Sequence, residues 1–190
     1  MRKLLYTFGS IIIMTAAGAT AAKAADAENT ILMEVSSGGT VVMELKPDVA
    51  PQHVERIKKL TREGFYDGIV FHRVIEGFMA QTGDPTGTGT GGSKYGNIPA
   101  EFSNENFGRG TVGMARAASP DSANSQFFVC FEDCGFLNGQ YTVFATVTEG
   151  MEFIDAVQRG EPPANPDRIV KMQVQADVGA EAQAEPVTTE

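Results

Sequence analysis

The sequence predicts a mainly β domain, a sandwich or barrel of about eight short strands with two helices. Three observations point there. Glycine is frequent, 21 of 190 residues, which suits a turn-rich β protein better than a helical bundle. Short runs rich in β-branched and aromatic residues recur between Gly-, Pro- and Asn-rich turns. The two helical patterns do not alternate with the strands, which disfavours a doubly wound α/β fold.

Taken in order, TILMEVS (30–36) and TVVMEL (40–45) read as two strands, with Ser36-Ser37-Gly38-Gly39 as the hairpin turn between them. Pro51 suits the first position of a helix. Val54, Ile57 and Leu60 recur at helical spacing through 51–63, and Gly64 is placed to end it. Strands follow at 69–75, 77–83, 110–115, 125–131 and 141–148. MEFIDAVQ (151–158) predicts a second helix, with Met151, Ile154 and Val157 on one face, ending near Gly160. After the turn EPPANP, RIVKMQVQA (168–176) predicts the last strand. The segment 177–190 is small, polar and acidic and reads as a disordered tail.

Residues 1–24 stand apart. Arg2 and Lys3 precede a mostly apolar stretch (4–19), and Ala22-Lys23-Ala24 fits the small-x-small rule, so the segment reads as a cleaved secretory signal peptide. An uncleaved membrane anchor is the competing reading, disfavoured by the short stretch and its Gly, Ser and Thr. Residues 25–29 are a short extension. Cleavage would remove Arg2, Lys3 and Lys23 and leave 12 basic against 24 acidic residues, a net charge near −12. Such a chain repels nucleic acid and anionic membrane surfaces. The expectation is a soluble, exported, monomeric protein of the periplasm, free of the membrane once processed.

Cys130 and Cys134 are the two cysteines, spaced C-x3-C rather than as a redox C-x-x-C. Export permits a disulfide, whereas the apolar run QFFVCF fits a small buried thiol. With two Cys and two His in the chain, a Cys/His zinc site is disfavoured, and no cofactor is implied.

Candidate chemistry is narrowed largely by exclusion. Gly87, Gly89 and Gly92 match G-x-G-x-x-G, but the following SKYGNIPAEF is a poor helix, so the match reads as a flexible loop. Ser93-Lys94 reverses the order a P-loop needs, and there is no G-x-S-x-G elbow. His53, at a helix start, is expected to be exposed. His72 follows strand alternation and is expected on the opposite face from Arg73, hydrogen-bonded in the core or sheet. What is left is FHRVIEGFMAQTGD (71–84), where Arg73 sits among apolar residues with Gln81 as the next polar side chain able to work with it. An arginine is costly to bury alone. A structural pairing with Asp84 or Glu101 is the plain alternative to a catalytic one.

The blocks FHRVIEGFMAQTGD (71–84), GTGGSKYG (89–96), MARAASPDSANSQFFVC (114–130) and FLNGQYTVFATVTEGMEFID (136–155) resemble cyclophilin-type peptidyl-prolyl cis–trans isomerases, in particular the bacterial periplasmic members. The resemblance runs in order over 30–176. It implies a closed eight-stranded antiparallel β-barrel capped by two α-helices, with an active groove on the outside. It places Arg73 as the catalytic arginine and Gln81 as its support. It makes Phe78, Met79, Phe128 and Leu137 the proline pocket and Gly89 the lining of a neighbouring subsite. Ala115, Arg116 and Ala117 would hold the substrate backbone, with Gln126 beside them. Phe136 stands where the family often has a cyclosporin-binding tryptophan, so only weak cyclosporin binding is implied, since the indole N–H is missing. Tyr141 stands where eukaryotic members often have histidine, and Arg116 where an asparagine is usual. The implied partners are proline-containing polypeptides. Rotation about an amide breaks no bond, which accounts for the missing acid–base pair. A peptide-binding or chaperone module using the same groove without catalysis is the competing class.

Overall fold

The computed structural model describes residues 26–178; the expected signal peptide and most of the expected acidic tail lie outside that range. Eight strands form one antiparallel, curled sheet. They are β1 (Thr30–Val35), β2 (Gly39–Leu45), β3 (Arg73–Ile75), β4 (Met79–Thr82), β5 (Thr111–Met114), β6 (Phe127–Cys130), β7 (Val143–Glu149) and β8 (Ile169–Val174). Their order across the sheet is β3-β4-β6-β5-β7-β2-β1-β8. The end strands β3 and β8 share no ladder. An isolated bridge, Val70 to Arg168, and the bond from Phe71 N to Asp167 O (2.8 Å) link the chain just before each of them.

The expected strands are all present, mostly shorter than the apolar runs that predicted them. Residues 69–72 leave the β3–β4 ladder because Val70 turns to Arg168 and its carbonyl accepts from the Thr82 hydroxyl (3.0 Å). The helix α1 spans Pro51–Arg62, with Pro51 in its first turn and Gly64 at φ +67° just beyond it. The second helix, α2, is shorter than expected, Met151–Asp155. Its end is drawn into a turn by Arg159, whose Nη1 donates to the carbonyls of Asp155 (2.7 Å) and Val157 (2.6 Å). Among the described residues no helix is long and apolar enough to cross a membrane.

Strand alternation divides the side chains between two cores. Inside the curl, Met33, Met43, Val74, Ala80, Val112, Val129 and Met172 pack with Val54, Ile57 and Leu60 of α1. Tyr66 is fully buried there against Phe127, edge to face at 5.6 Å, and its hydroxyl donates to Ser125 O. A second, smaller cluster lies outside the sheet and includes Met79, Phe107, Phe128, Cys130, Cys134, Leu137 and Val143. It forms the floor beneath the candidate site.

His53 differs from expectation. It is 0 % exposed, and its Nδ1 lies 2.6 Å from Glu101 Oε2. Glu101 also accepts the amides of Gln52 and His53 at 3.1 Å, so the first turn of α1 is tied to residue 101. Burial lowers the His53 pKa, and Glu101 opposes that shift. The cysteines are both buried and free, and burial pushes both thiols up, so neither is a ready nucleophile.

Candidate active site

The site is built on one row of side chains across neighbouring strands. Arg73 of β3 lies directly opposite Gln81 of β4, Gln81 opposite Phe128 of β6, and Phe128 opposite Gly113 of β5. The adjacent row, Val74, Ala80, Val129 and Val112, points the other way into the inner core. A period of two thus puts the guanidinium, the amide and the aromatic ring together on the outer face.

Gly113 is glycine because two rings lie over it. A Cβ there would sit 2.5 Å from Phe107 and 2.6 Å from Phe128, far inside contact distance. Those rings stack at 5.8 Å with their planes 19° apart, and Tyr141 meets Phe128 edge-on at 5.9 Å. Leu137 arrives on a 3₁₀ turn, Gly135–Leu137, anchored by the bond from Cys134 N to Phe107 O (2.7 Å). The Cys134 thiol donates to Phe78 O at 3.5 Å, tying that turn to the loop before β4.

These elements enclose a pocket of about 130 Å³, lined by Arg73, Phe78, Met79, Gln81, Ala115, Arg116, Phe128, Leu137 and Tyr141. Taking a water as about 30 Å³, that is room for one small ring. Gln81, Ala115 and Arg116 also line an adjoining cavity of about 530 Å³, together with Gly89, Ala117 and Gln126. Phe136 lines neither space. It stands at the rim, 64 % exposed, with its ring 5.3 Å from that of Phe78. A cavity of about 680 Å³ lies elsewhere, over β1 and β2, and brings together Asp26, Glu44, Asp48 and Glu149 but none of these residues.

The hydrogen bonds differ from the expected pairing. Arg73 Nε donates to Glu161 Oε2 at 2.8 Å, and its terminal nitrogens have no protein acceptor among the described residues. Gln81 does not bond to Arg73. Its Nε2 donates to Gln126 Oε1 (2.9 Å), and Gln126 Nε2 donates to Gly89 O (3.1 Å) and Gly91 O (2.8 Å). An ionised carboxylate is a stronger acceptor for a guanidinium than an amide oxygen, so Glu161 takes the place expected of Gln81. Neither Asp84 nor Glu101 pairs with Arg73.

Asp84 has a different task. Its carboxylate, 1 % exposed, accepts the amides of Thr86, Thr88, Gly89 and Gly91 and the Thr86 hydroxyl. Burial alone would raise its pKa, but the bonds from Thr86, Gly91 and Gly89 outweigh it and hold the group at about 2. The glycine-rich stretch is therefore a tethered loop rather than a flexible one. No helix follows it, so the dinucleotide reading has no support.

His72 is buried, 6 % exposed, yet its ring nitrogens have no hydrogen-bond partner among the described residues. It lines a cavity of about 320 Å³ with Arg73, Gly87, Gly89 and Glu161. It therefore shares a side with Arg73, against expectation, because residue 72 precedes the β3 ladder and alternation does not bind it. Burial lowers its pKa, with Asp84 opposing, which keeps the ring neutral, and no hydrogen bond links the ring to a nucleophile among the described residues.

Sequence reasoning missed Glu161, which stood out only as part of a Pro-rich turn, and Ser93, Asn97, Ser122 and Asn124 of the larger cavity. No local signal marks them, since they come from loops brought together by the sheet.

Residues 30–174 match the family model for cyclophilin type peptidyl-prolyl cis-trans isomerase/CLD. The chain is 52% identical over 172 residues to a probable peptidyl-prolyl cis-trans isomerase of Brucella suis, covering 82% of this chain and 87% of that one. It is 43% identical over 128 residues to peptidyl-prolyl cis-trans isomerase B of Bacillus subtilis, covering 67% and 89%. Among solved structures it resembles a cyclophilin from Hirschia baltica, with TM-score 0.73 and 27% identity over 86% of this chain and 81% of that one. A Cryptosporidium parvum cyclophilin type isomerase, crystallised in the presence of the dipeptide Ala-Pro, matches with TM-score 0.71 and 29% identity over 76% and 98%. An outer-face groove on a curled eight-stranded sheet, with an arginine beside a ring-sized apolar pocket, therefore has its relatives in one place: the chain belongs to the cyclophilin-type peptidyl-prolyl cis-trans isomerases.

Proposed function

We propose that this protein accelerates rotation about X–Pro bonds in exported polypeptides, with Arg73 as the group that acts on the twisting amide. The carrying observation is the placement of Arg73, whose terminal N–H groups have no protein acceptor among the described residues, on the wall of a pocket whose apolar lining includes Phe78, Met79, Phe128 and Leu137.

Rotation about a peptide bond meets a barrier of about 18–20 kcal/mol, because the C–N bond is partly double. In the twisted state the prolyl nitrogen regains a lone pair. An N–H donor that meets this lone pair stabilises the twisted state more than the planar one, which is catalysis by differential binding. Arg73 supplies that donor, and Glu161 holds it at Nε. The apolar walls grip the proline ring and exclude water, which strengthens the cation's effect. Gln81 contributes its remaining carbonyl oxygen, and Ala115 and Arg116 lie on the wall shared by pocket and cavity, with Ala117 lining the cavity alone.

A 10⁵-fold gain requires about 7 kcal/mol. One charge-assisted hydrogen bond supplies about 1.5–3 kcal/mol. The clamped ring and the dry pocket must provide the rest.

Export to the periplasm, and a role in folding there, rests on the residue pattern of 1–24. We take the working form to be a monomer, since one chain supplies every wall of the groove. Cyclosporin binding would be weak, because Phe136 at the rim carries no N–H donor. The test is a proline-peptide isomerisation assay on the purified protein and on Arg73→Ala. Acceleration that collapses in the folded variant supports the reading. Peptide binding without acceleration in the unmutated protein would make it a binding module.

A further inference from the structure

The whole chain is acidic, with 24 Asp and Glu against 15 Lys and Arg. The groove reverses that balance. The ring-sized pocket and the adjoining cavity are lined by two arginines, Arg73 and Arg116, and by no Asp or Glu. Three acids of neighbouring segments have partners of their own. Glu161 lies outside both spaces and is paired with Arg73. Asp84, under the loop, has its charge met by the amides that point at it. Asp121 lines neither space and accepts from Ala100 N at 2.8 Å.

Arg116 differs from Arg73 in what holds it. Its Nε and Nη2 donate to Gln140 O at 3.3 and 3.1 Å, and its Nη1 donates to Ala117 O at 3.0 Å and Ala118 O at 3.3 Å. Its guanidinium lies 4.4 Å from the centroid of the Tyr141 ring. Every partner is neutral, so the cation is fixed in place without a carboxylate to cancel it. A guanidinium has five N–H donors. Four are used, and one hydrogen on Nη2 remains for a ligand. Arg116 sits at the seam, lining both the pocket and the larger cavity. The rest of the cavity wall is polar and neutral, including Ser93, Ser122, Asn124 and Gln126.

We propose that Arg116 is a specificity-determining residue that favours proline segments carrying a carboxylate within two residues of the proline, on the side that enters the larger cavity. The inference rests on the isomerase reading above for where the proline sits. The global field of an acidic chain would predict the opposite preference, so the sign of the effect is informative.

The test uses tetrapeptides with one proline and Glu, Gln or Lys at each position within two residues of it, assayed with the purified full chain at low salt. At one position, kcat/KM for the Glu peptide should exceed that for its Gln counterpart about three- to fivefold, the size of a partly exposed ion pair. Lys there should fall below Gln. The Glu advantage should shrink toward one at 1 M salt, where the screening length is about 3 Å. Arg116→Gln should bring the Glu-to-Gln ratio to about one, whatever it does to the absolute rates. A ratio of one or less in the unmutated protein, or a ratio that survives Arg116→Gln, overturns the proposal. If Arg116→Gln does not fold, Arg116→Asn is read for the same ratio, since the salt series alone would not separate Arg116 from Arg73. If no peptide is isomerised, the isomerase reading fails instead, and calorimetric binding of the Glu and Gln peptides still measures the preference.

Discussion

Arg73 and Glu161, 88 positions apart in sequence, are joined at 2.8 Å from Nε to Oε2, although the residue facing Arg73 across the β3–β4 ladder is Gln81. The pair is about half exposed, with side chains 40 % and 52 % accessible. Exposed pairs contribute about 0–1 kcal/mol to stability. Glu161→Gln should therefore leave the melting temperature nearly unchanged. If Glu161 orients Arg73, the variant should lose kcat by up to about fivefold with KM little altered. In the double variant with Arg73→Ala, the Glu161 effect should vanish. Additive losses in that cycle would show that the carboxylate acts on something other than Arg73.

Arg73→Ala should lower kcat/KM by roughly 10- to 150-fold, the value of one charge-assisted hydrogen bond at 1.36 kcal/mol per decade. Circular dichroism should report a native fold, since the side chain is half-buried and outside both hydrophobic clusters. Arg73→Lys should recover only part of the loss, because an ammonium cannot be held at Nε while donating from a second nitrogen. Full activity in folded Arg73→Ala would move the catalytic role elsewhere.

The pocket walls should separate into those that also hold the fold and those that do not. Phe128 is 4 % exposed and stacks on Phe107, so Phe128→Ala should cost about 3–5 kcal/mol of stability as well as activity. Phe136 is 64 % exposed, so Phe136→Ala should cost under about 1 kcal/mol. Urea unfolding of the two variants checks the contrast, and equal losses would contradict the rim placement of Phe136.

Asp84 predicts an acid limb in stability. Its folded pKa, about 2, lies below the ordinary 3.8, so its stabilisation is present above about pH 4 and is lost as the pH falls toward 2. The shift corresponds to about 2 kcal/mol. Asp84→Asn should lose that stability at neutral pH and show a flatter profile between pH 4 and 2. A variant profile parallel to the unmutated one would show that the loop does not depend on the charge.

His72 predicts a limb at higher pH. Its pKa is lowered by burial, so the folded chain keeps the ring neutral while the unfolded chain takes up a proton below about pH 6.5. Stability should therefore decline as the pH drops through that value. The charged groups acting on the ring are Asp84, which favours protonation, and Arg73, which opposes it. In His72→Gln the fall in melting temperature from pH 7 to 5.5 should be smaller. His53, likewise lowered, should keep some of that slope.

Much of this arrangement was legible in the sequence, for reasons of period. The eight apolar runs, the proline at the start of α1 and Gly64 at its end are local signals, and they located every strand and the first helix. For the block 71–84 it was the resemblance to cyclophilins that implied a shared site for Arg73, Phe78, Met79 and Gln81, and two short strands and a tight turn do bring them within one hairpin. What the sequence hid was long-range. His53 looked like a surface residue until Glu101 was seen beneath the helix start. Gln81 looked like the partner of Arg73 because Glu161 lies on a distant turn. Asp84 looked like a candidate counter-ion, and its five loop bonds depend on backbone directions that composition does not encode.

The two clusters on opposite faces of the same strands have one further consequence. Val74, Ala80, Val129 and Val112 hold the inner packing, while their alternating neighbours Arg73, Gln81 and Phe128, with Gly113, make up the working surface. Alternate positions along each strand therefore answer to different demands. An engineer retargeting the groove can vary Arg73 and Gln81 while the inner row keeps the scaffold standing, but must leave Phe128 and Gly113, which the outer cluster needs for its packing.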